Sequence, residues 1–339
     1  MYHFKNLQNM PKNSNDSLIL KEKDDFLSQI REQFKKNISS IEILYLIGKI
    51  RFGNLLISLN NVIFMCEIVG CKKIFLEGDE FLIKNKIFHP KYNMSIEPIY
   101  SRENLPNNTL IMDAAYFYYY RKHLKPENDF YVFKAEILNN LPKIETNSND
   151  LYIHIRSGDV FENPPKIGYS QPPLCFYQKI LREFKFRKIY IISEDKKNPI
   201  INFLLREFDN IIYNKNNLYL DISYLANAYN IVSSKSSFII TLIKINDKLR
   251  FLWEFDLYRL SERFLHLHYS IHNYTHNYTI YKMIPSEFYQ QYMFTWFNTF
   301  QQKKFMIKEK CLKNNFLIIK LYFFSYICFI LLLLKFFSL

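Results

Sequence analysis

Between residues 151 and 255, short apolar runs and stretches of helical length take turns with little chain between them. Runs at 151–156, 188–193, 211–213, 231–233 and 250–255 are dominated by β-branched and aromatic residues and read as strands. The stretches 174–184, 199–207, 221–229 and 238–245 read as helices. A strand followed by a helix and another strand rejoins its sheet in parallel, with helices covering both faces. This alternation predicts an α/β fold and leaves little room for a bundle or a β-sandwich. The first half repeats the theme more loosely, with strands at 41–47, 73–77 and 109–117 and helices at 55–69 and 130–140. Polar Asn147–Asp150 marks a boundary. The expected organisation is a helical extension over 1–40, a Rossmann-like half over 41–150 and a second over 151–300. A basic linker with an apolar tail follows over 301–339. A chain of 339 residues is long enough for two cores of this kind.

Open α/β sheets bind ligands at the carboxyl ends of their strands. The run Leu151-Tyr-Ile-His-Ile-Arg-Ser-Gly-Asp159 puts His154, Arg156 and Asp159 around Gly158 where a strand should emerge. An arginine there suits a phosphate, because its planar fork gives two parallel hydrogen bonds and stays charged. The same residues also serve a plain turn, which uses Gly and an Arg–Asp pair for its own shape. Two further segments have comparable character. Ile50-Arg-Phe-Gly-Asn54 lies between a strand and a helix, where backbone amides can face an anion. In Asp221–Asn246 a short helix and strand lead into Ser233, Ser234, Ser236 and Ser237 before a new apolar helix at Phe238. Hydroxyls and free amides at such a junction form a neutral anion pocket, or simply cap the helix.

His-x-Arg-x-Gly-Asp resembles the nucleotide-sugar motif of the fucosyltransferase superfamily, in which the arginine grips the diphosphate of GDP-fucose. Arg51-Phe-Gly-Asn54 resembles the first donor loop of protein O-fucosyltransferases, and Asp221 to Phe238 is similar to the superfamily's C-terminal motif. The three stand in the family's order between residues 41 and 246. The resemblance implies a GT-B-like architecture of two Rossmann-like halves and an inverting, metal-independent glycosyl transfer. It makes Arg156, His154 and Asp159 the catalytic candidates. Arg51, Gly53, Asn54, Asp221, Ser236, Ser237 and Phe238 would bind the donor. Ser157 departs from the paired arginines of the α1,2 and α1,6 branches, so acceptor and linkage stay open. Other readings are a GT-B transferase using another nucleotide sugar, or a membrane-tethered pseudoenzyme that binds the donor without turnover.

The net charge of +13 invites a nucleic-acid partner, yet seven lysines against one acid fall in residues 301–339, beside the apolar tail. No zinc spacing or RNA-binding signature accompanies them, so nucleic acid is not expected. Leu321–Leu334 is uncharged between Lys320 and Lys335, and flanking lysines can snorkel to extend a short span. With Lys303–Lys313 on the cytosolic side, residues 316–339 read as a C-terminal membrane anchor. The body would then face the cytosol on ER or Golgi membranes; the lumen and a soluble cytoplasmic protein are the alternatives. The polar N-terminal region has no basic-then-apolar signal pattern.

Cys66, Cys71, Cys175, Cys311 and Cys328 are odd in number without metal spacing, which points to free buried thiols. His268, His272 and His276 repeat every fourth residue but lack a nearby carboxylate, so neither metal nor cofactor is expected. Pro164, Pro165, Pro172 and Pro173 should form a loop above Arg156.

Overall fold

The alternation read from the sequence folds into two sheets, each in its own unit, residues 1–141 and 142–339. The computed structural model describes residues 2–3, 42–46, 52–69, 71–77, 86–89, 93–99, 105–106, 109–113, 130–165, 169–213, 216–256, 278–311 and 316–320. Arg51, nearly all of the helical extension expected over 1–40, His268, His272, His276 and residues 321–339 lie outside these.

The first unit holds strands β1 (Tyr2–His3), β2 (Glu42–Leu46), β3 (Lys73–Glu77), β4 (Ile87–His89), β5 (Met94–Ile99) and β6 (Thr109–Asp113). They are ordered β1-β6-β2-β3-β5-β4, all parallel except β4 against β5. Helix α1 (Phe52–Val69) follows β2, and α2 (Phe130–Asn140) ends the unit. The sequence places Gly53 and Asn54 in the turn before a helix at 55. Instead α1 begins at Phe52, so both lie in its first turn, Gly53 buried and Asn54 half-buried.

The second unit carries the motifs. Its strands are β7 (Leu151–His154), β8 (Ile189–Ile192), β9 (Ile211–Ile212), β10 (Asn230–Ser233), β11 (Phe251–Phe255), β12 (Thr279–Met283) and β13 (Phe316–Lys320). Helices are α3 (Leu174–Glu183), α4 (Pro199–Glu207), α5 (Leu218–Asn227), α6 (Ser237–Ile245), α7 (Glu287–Phe294) and α8 (Phe300–Lys308). The sheet order is β13-β12-β11-β10-β7-β8-β9, parallel throughout except for β13. Numbered from β7, its six parallel strands run 3-2-1-4-5-6, the doubly wound order whose direction reverses between the first and fourth strands.

Alternate residues of β7 show how the layers form. Leu151 and Ile153 enter a core with Phe176 and Tyr177 of α3, Ile200 and Leu204 of α4, Tyr289 and Met293 of α7 and Met306 of α8. Tyr152 points the other way and stacks on Tyr190 of β8 and Tyr224 of α5, ring centroids 5.0 and 5.7 Å away. Burying both faces is what the continuous apolar runs anticipate. On the α5 side, every residue of α6 from Ile239 to Ile245 is buried.

Three expectations change. The apolar C-terminal segment does not begin as a helix, because Phe316–Lys320 is a strand paired antiparallel with Thr279–Met283. No helix among the described residues is long and apolar enough to cross a membrane. The linker expected from 301 is part of the second unit: α8 buries Gln302 and Met306. Finally, the cysteines pair, Cys66 with Cys71 and Cys175 with Cys311. The first pair stands five positions apart in sequence. The second joins the start of α3 to the chain just after α8, a contact that only the tertiary fold creates.

Candidate functional site

Strand β7 ends at His154, and Ile155 still donates its N–H to the Ile192 carbonyl at 3.0 Å. Beyond it the chain turns through Arg156 and Ser157 into a single 3₁₀ turn, Gly158–Phe161. Gly158 has φ +62°, in the left-handed region that L side chains rarely adopt. It also packs against Glu194, whose Oε2 would lie 2.1 Å from a Cβ at this position. Conformation and close approach both require the glycine.

On the neighbouring strand across the reversal, β10 ends at Ser233, and Ser234–Ser236 lead into α6. Ser236 is the N-cap, its Oγ accepting from the Phe238 N–H at 3.2 Å. Ser237 is the first helical residue, so the amides of this first turn face the carboxyl edge of the sheet. The two motifs meet through His154. Its Nδ1 and Ser234 Oγ are hydrogen-bonded at 2.8 Å, and its ring lies 5.4 Å from that of Phe238. Burial, with the nearby Arg156 charge second, lowers the imidazole pKa to about 3. His154 is therefore neutral, a packed hydrogen-bonding group and not a cation. As a neutral ring it keeps one N–H donor and one acceptor.

Arg156 is 9% exposed. It donates to Asp159 Oδ1 at 2.5 Å and lies over the Tyr169 ring, 5.5 Å from its centroid. Tyr169 belongs to the Pro-rich segment, so the loop does return to Arg156. Gln171 secures that return: its Nε2 donates to the Tyr169 carbonyl at 2.7 Å, and its own carbonyl accepts from Tyr289 Oη. Asp159 is thus an ion-pair partner of the Arg156 guanidinium.

Asp221 falls in a different part of the edge. It sits in the first turn of α5, accepts from Asn216 Nδ2 at 3.1 Å, and burial raises its pKa to about 6. Tyr213, just past β9, feels both Asp195 and Asp221, and Lys196 Nζ stands 4.5 Å from its ring centroid. Of the expected donor residues in this unit, Ser236, Ser237 and Phe238 adjoin His154, and Asp221 belongs to the Tyr213 cluster. Gly53 and Asn54 belong to the first unit, and Arg51 is outside the described residues.

Several groups escaped the sequence reading. Lys235, between the serines in the β10–α6 loop, is buried, and burial lowers its pKa to about 8, so it gives up its proton more readily than an exposed lysine. Glu194 and Asp195 stand at the carboxyl end of β8. Applying the strand-end rule to Ser193-Glu-Asp195 as well would have found both. On β11, Glu254 pairs in register with Ser233 and with Lys282. Burial raises its pKa to about 7 against the lowering effect of Lys282, with Asp256 adding to the rise. Among the described residues no cluster of His, Cys, Asp or Glu could hold a metal ion.

Chemically, this edge offers a buried arginine aimed by a carboxylate, a capped helix start with serine hydroxyls, and a neutral histidine joining them. Such groups are the kind that can hold an anion with oxygens on several sides.

No family model and no curated protein matches the chain. Among solved structures it is similar to an Escherichia coli heptosyltransferase, WaaC, bound to ADP. The identity is 12%, over 63% of this chain and 87% of that one, with a TM-score of 0.36. It is also similar to a family 9 glycosyl transferase from Veillonella parvula, at 8% identity over 65% of this chain and 81% of that one, TM-score 0.36. Likenesses this distant say nothing of donor or acceptor.

Proposed function

We propose that the chain is a glycosyltransferase that draws its sugar from a nucleoside-diphosphate donor bound at the carboxyl edge of the second sheet. One observation carries this reading. The Arg156 turn and the Ser234–Ser236 loop, about 80 residues apart in sequence, are joined by the His154–Ser234 hydrogen bond at the reversal of a 3-2-1-4-5-6 sheet. That is where doubly wound sheets take nucleotides. In the reaction the bond from the anomeric carbon to the diphosphate oxygen breaks as an acceptor oxygen attacks. Negative charge collects on the leaving diphosphate, and Arg156 with the α6 amides stabilises it as preorganised donors. Asp159 holds the Arg156 fork in place. A carboxylate takes the acceptor's proton.

The narrower proposal is GDP-fucose as donor, with no metal, and it rests on the three-part motif resemblance. A GT-B transferase using another nucleotide sugar is the alternative, and it shares the Arg156 contact. Thermal shift of the full chain in EDTA with GDP, UDP, ADP and CMP separates them. A ligand bound only by the native state adds about 2.7 kcal/mol at a hundredfold excess over its Kd. GDP should give the largest shift, and Arg156→Ala should erase most of it. A larger shift with UDP or ADP refutes the fucosyl donor alone; no shift with any nucleotide refutes the transferase reading. Donor binding without hydrolysis or transfer identifies the pseudoenzyme.

The apolar run Leu321–Leu334 remains a proposed membrane anchor, now without the residues that form β13. Two disulfides favour an oxidising compartment, which supports the lumenal alternative over a cytosolic body. Protection of the body from protease in intact microsomes is the expected result; complete digestion would restore the cytosolic topology.

A further inference from the structure

Ser157 follows the phosphate-binding candidate directly, yet it is 1% exposed. Its hydroxyl donates to Asp195 Oδ1 and accepts from the Asn198 backbone N–H at 3.0 Å. Asp195 Oδ1 also accepts from the Gly158 N–H at 3.2 Å and the Lys197 N–H at 3.0 Å. Asn198, likewise 1% exposed, donates from Nδ2 to the Arg156 carbonyl at 3.0 Å while its Oδ1 caps α4 at the Ile200 N–H, 3.1 Å. The Ser193 hydroxyl completes the set, donating toward the Ile155 carbonyl at 2.8 Å. Residues 155 to 158 are thus each bonded to the segment that follows β8. A serine has one hydroxyl hydrogen, and here it is spent on Asp195, so Ser157 has none to give an anion.

We propose that Ser157, Asp195 and Asn198 are positioning residues, a latch between the ends of β7 and β8 that aims the Arg156 fork at a bound diphosphate. The proposal rests on the phosphate-binding reading of Arg156. The latch explains why two adjacent strand ends carry polar residues that are buried and mutually satisfied. The carbonyl of Arg156 and the amide of Gly158 are fixed on either side of Ser157, so the arginine's backbone has no freedom to rotate. Its side chain meets Asp159 and the Tyr169 ring. Preorganisation of this sort strengthens binding because less freedom remains to be lost when the ligand arrives.

Calorimetric titration of the full chain with inorganic pyrophosphate tests the idea together with amide hydrogen exchange. Ser157→Ala and Asp195→Ala should each weaken pyrophosphate binding about tenfold, the scale of one lost hydrogen bond to a charged group. Acting through one device, they should lose little more in combination. On an Arg156→Ala background Ser157→Ala should change the affinity no further, although it lowers the melting temperature in both backgrounds. A merely structural serine would weaken binding equally with and without Arg156, and that result overturns the proposal. Asp195→Asn keeps size and one acceptor oxygen and should show an intermediate loss, which guards against a misfolded alanine variant. Exchange at the Gly158 amide reads the latch without ligand: it should accelerate in Asp195→Ala, and unchanged exchange refutes the latch whatever binds. Failure of the wild-type chain to bind pyrophosphate, with Gly158 still protected through Asp195, would instead reject Arg156 as a phosphate ligand.

Discussion

Replacing Gly158 with alanine tests how tightly the turn after β7 is built, and the structure supplies two separate costs. With φ at +62°, any residue with a Cβ sits in the left-handed region, at about 1–2 kcal/mol. The new Cβ would also stand 2.1 Å from Glu194 Oε2 and 2.5 Å from Cδ, so the carboxylate must swing aside. Glu194 is exposed and its side chain is flexible, which limits this second cost to the contacts the carboxylate gives up, about 1 kcal/mol. Together they come to roughly 2–3 kcal/mol. At about 2–4 °C per kcal/mol for a unit of this size, the transition of the second unit should fall by about 4–12 °C. Thermal unfolding by calorimetry or circular dichroism reads it. Gly158→Ala on a Glu194→Ala background should recover the steric share and retain the φ share, so the two substitutions should be non-additive by about 1 kcal/mol. A Gly158→Ala protein that melts with the wild type, or a clash unrelieved by Glu194→Ala, would show that the turn yields easily. In that case it is no rigid mount for Arg156.

Arg156→Lys should keep the fold and lose on the order of 10²–10³ in transfer rate, since lysine keeps the charge without the planar fork; wild-type turnover would refute the clamp. Glu254→Gln should remove a pH-dependent cost. The raised pKa of Glu254 makes its contribution complete below its unfolded value and lost as pH rises through about 7, among Lys282, Asp256 and Tyr278. The stability of the variant relative to wild type should therefore grow between about pH 5 and 8, and a flat difference would contradict the burial of this carboxyl. His154, with its lowered pKa, contributes stability that is present above pH 6.5 and lost as pH falls below it, so His154→Gln should flatten the acid limb of the stability profile. Cys175→Ser should lower stability by roughly 4–5 kcal/mol under non-reducing conditions, because the bridge closes a loop of 136 residues. Equal melting of wild type and variant without reductant would mean the thiols are unpaired.

The elements from β7 to α6 were readable within one to three residues because each is an apolar run bounded by polar residues, and both faces of this sheet are buried. The elements beyond β11 and the β4–β5 pair were not. Helix α8 turns Gln302 and Met306 inward and leaves Phe300 71% exposed, which inverts the hydrophobic pattern that marks a helix. Strand β5 carries Glu97 and Pro98, residues that argue against a strand. In the site, Arg156 and His154 stood out as charged or titratable residues at the end of an apolar run. Asp195 and Asn198 did not, since their importance lies in hydrogen bonds to residues about 40 positions earlier. Pairing of Cys175 with Cys311 is likewise a product of how α3 and α8 pack. Serines at 236 and 237 were legible as either cap or ligand, and the cap at 236 is realised.

The 3-2-1-4-5-6 order also sets when the pocket can exist during folding. Strands β7 and β8 come together across one short crossover, so the latch around Ser157 needs only residues up to Asn198. The other wall waits for β10 to insert beside β7, closing a loop of about 80 residues, and such long-range pairings form slowly. A chain still emerging during synthesis, or one arrested before β10 docks, would have Arg156 aimed with nothing opposite it. If the proposed donor site is right, nucleotide affinity would mark finished assembly, because both the Arg156 turn and the Ser234–Ser236 loop must then be in place.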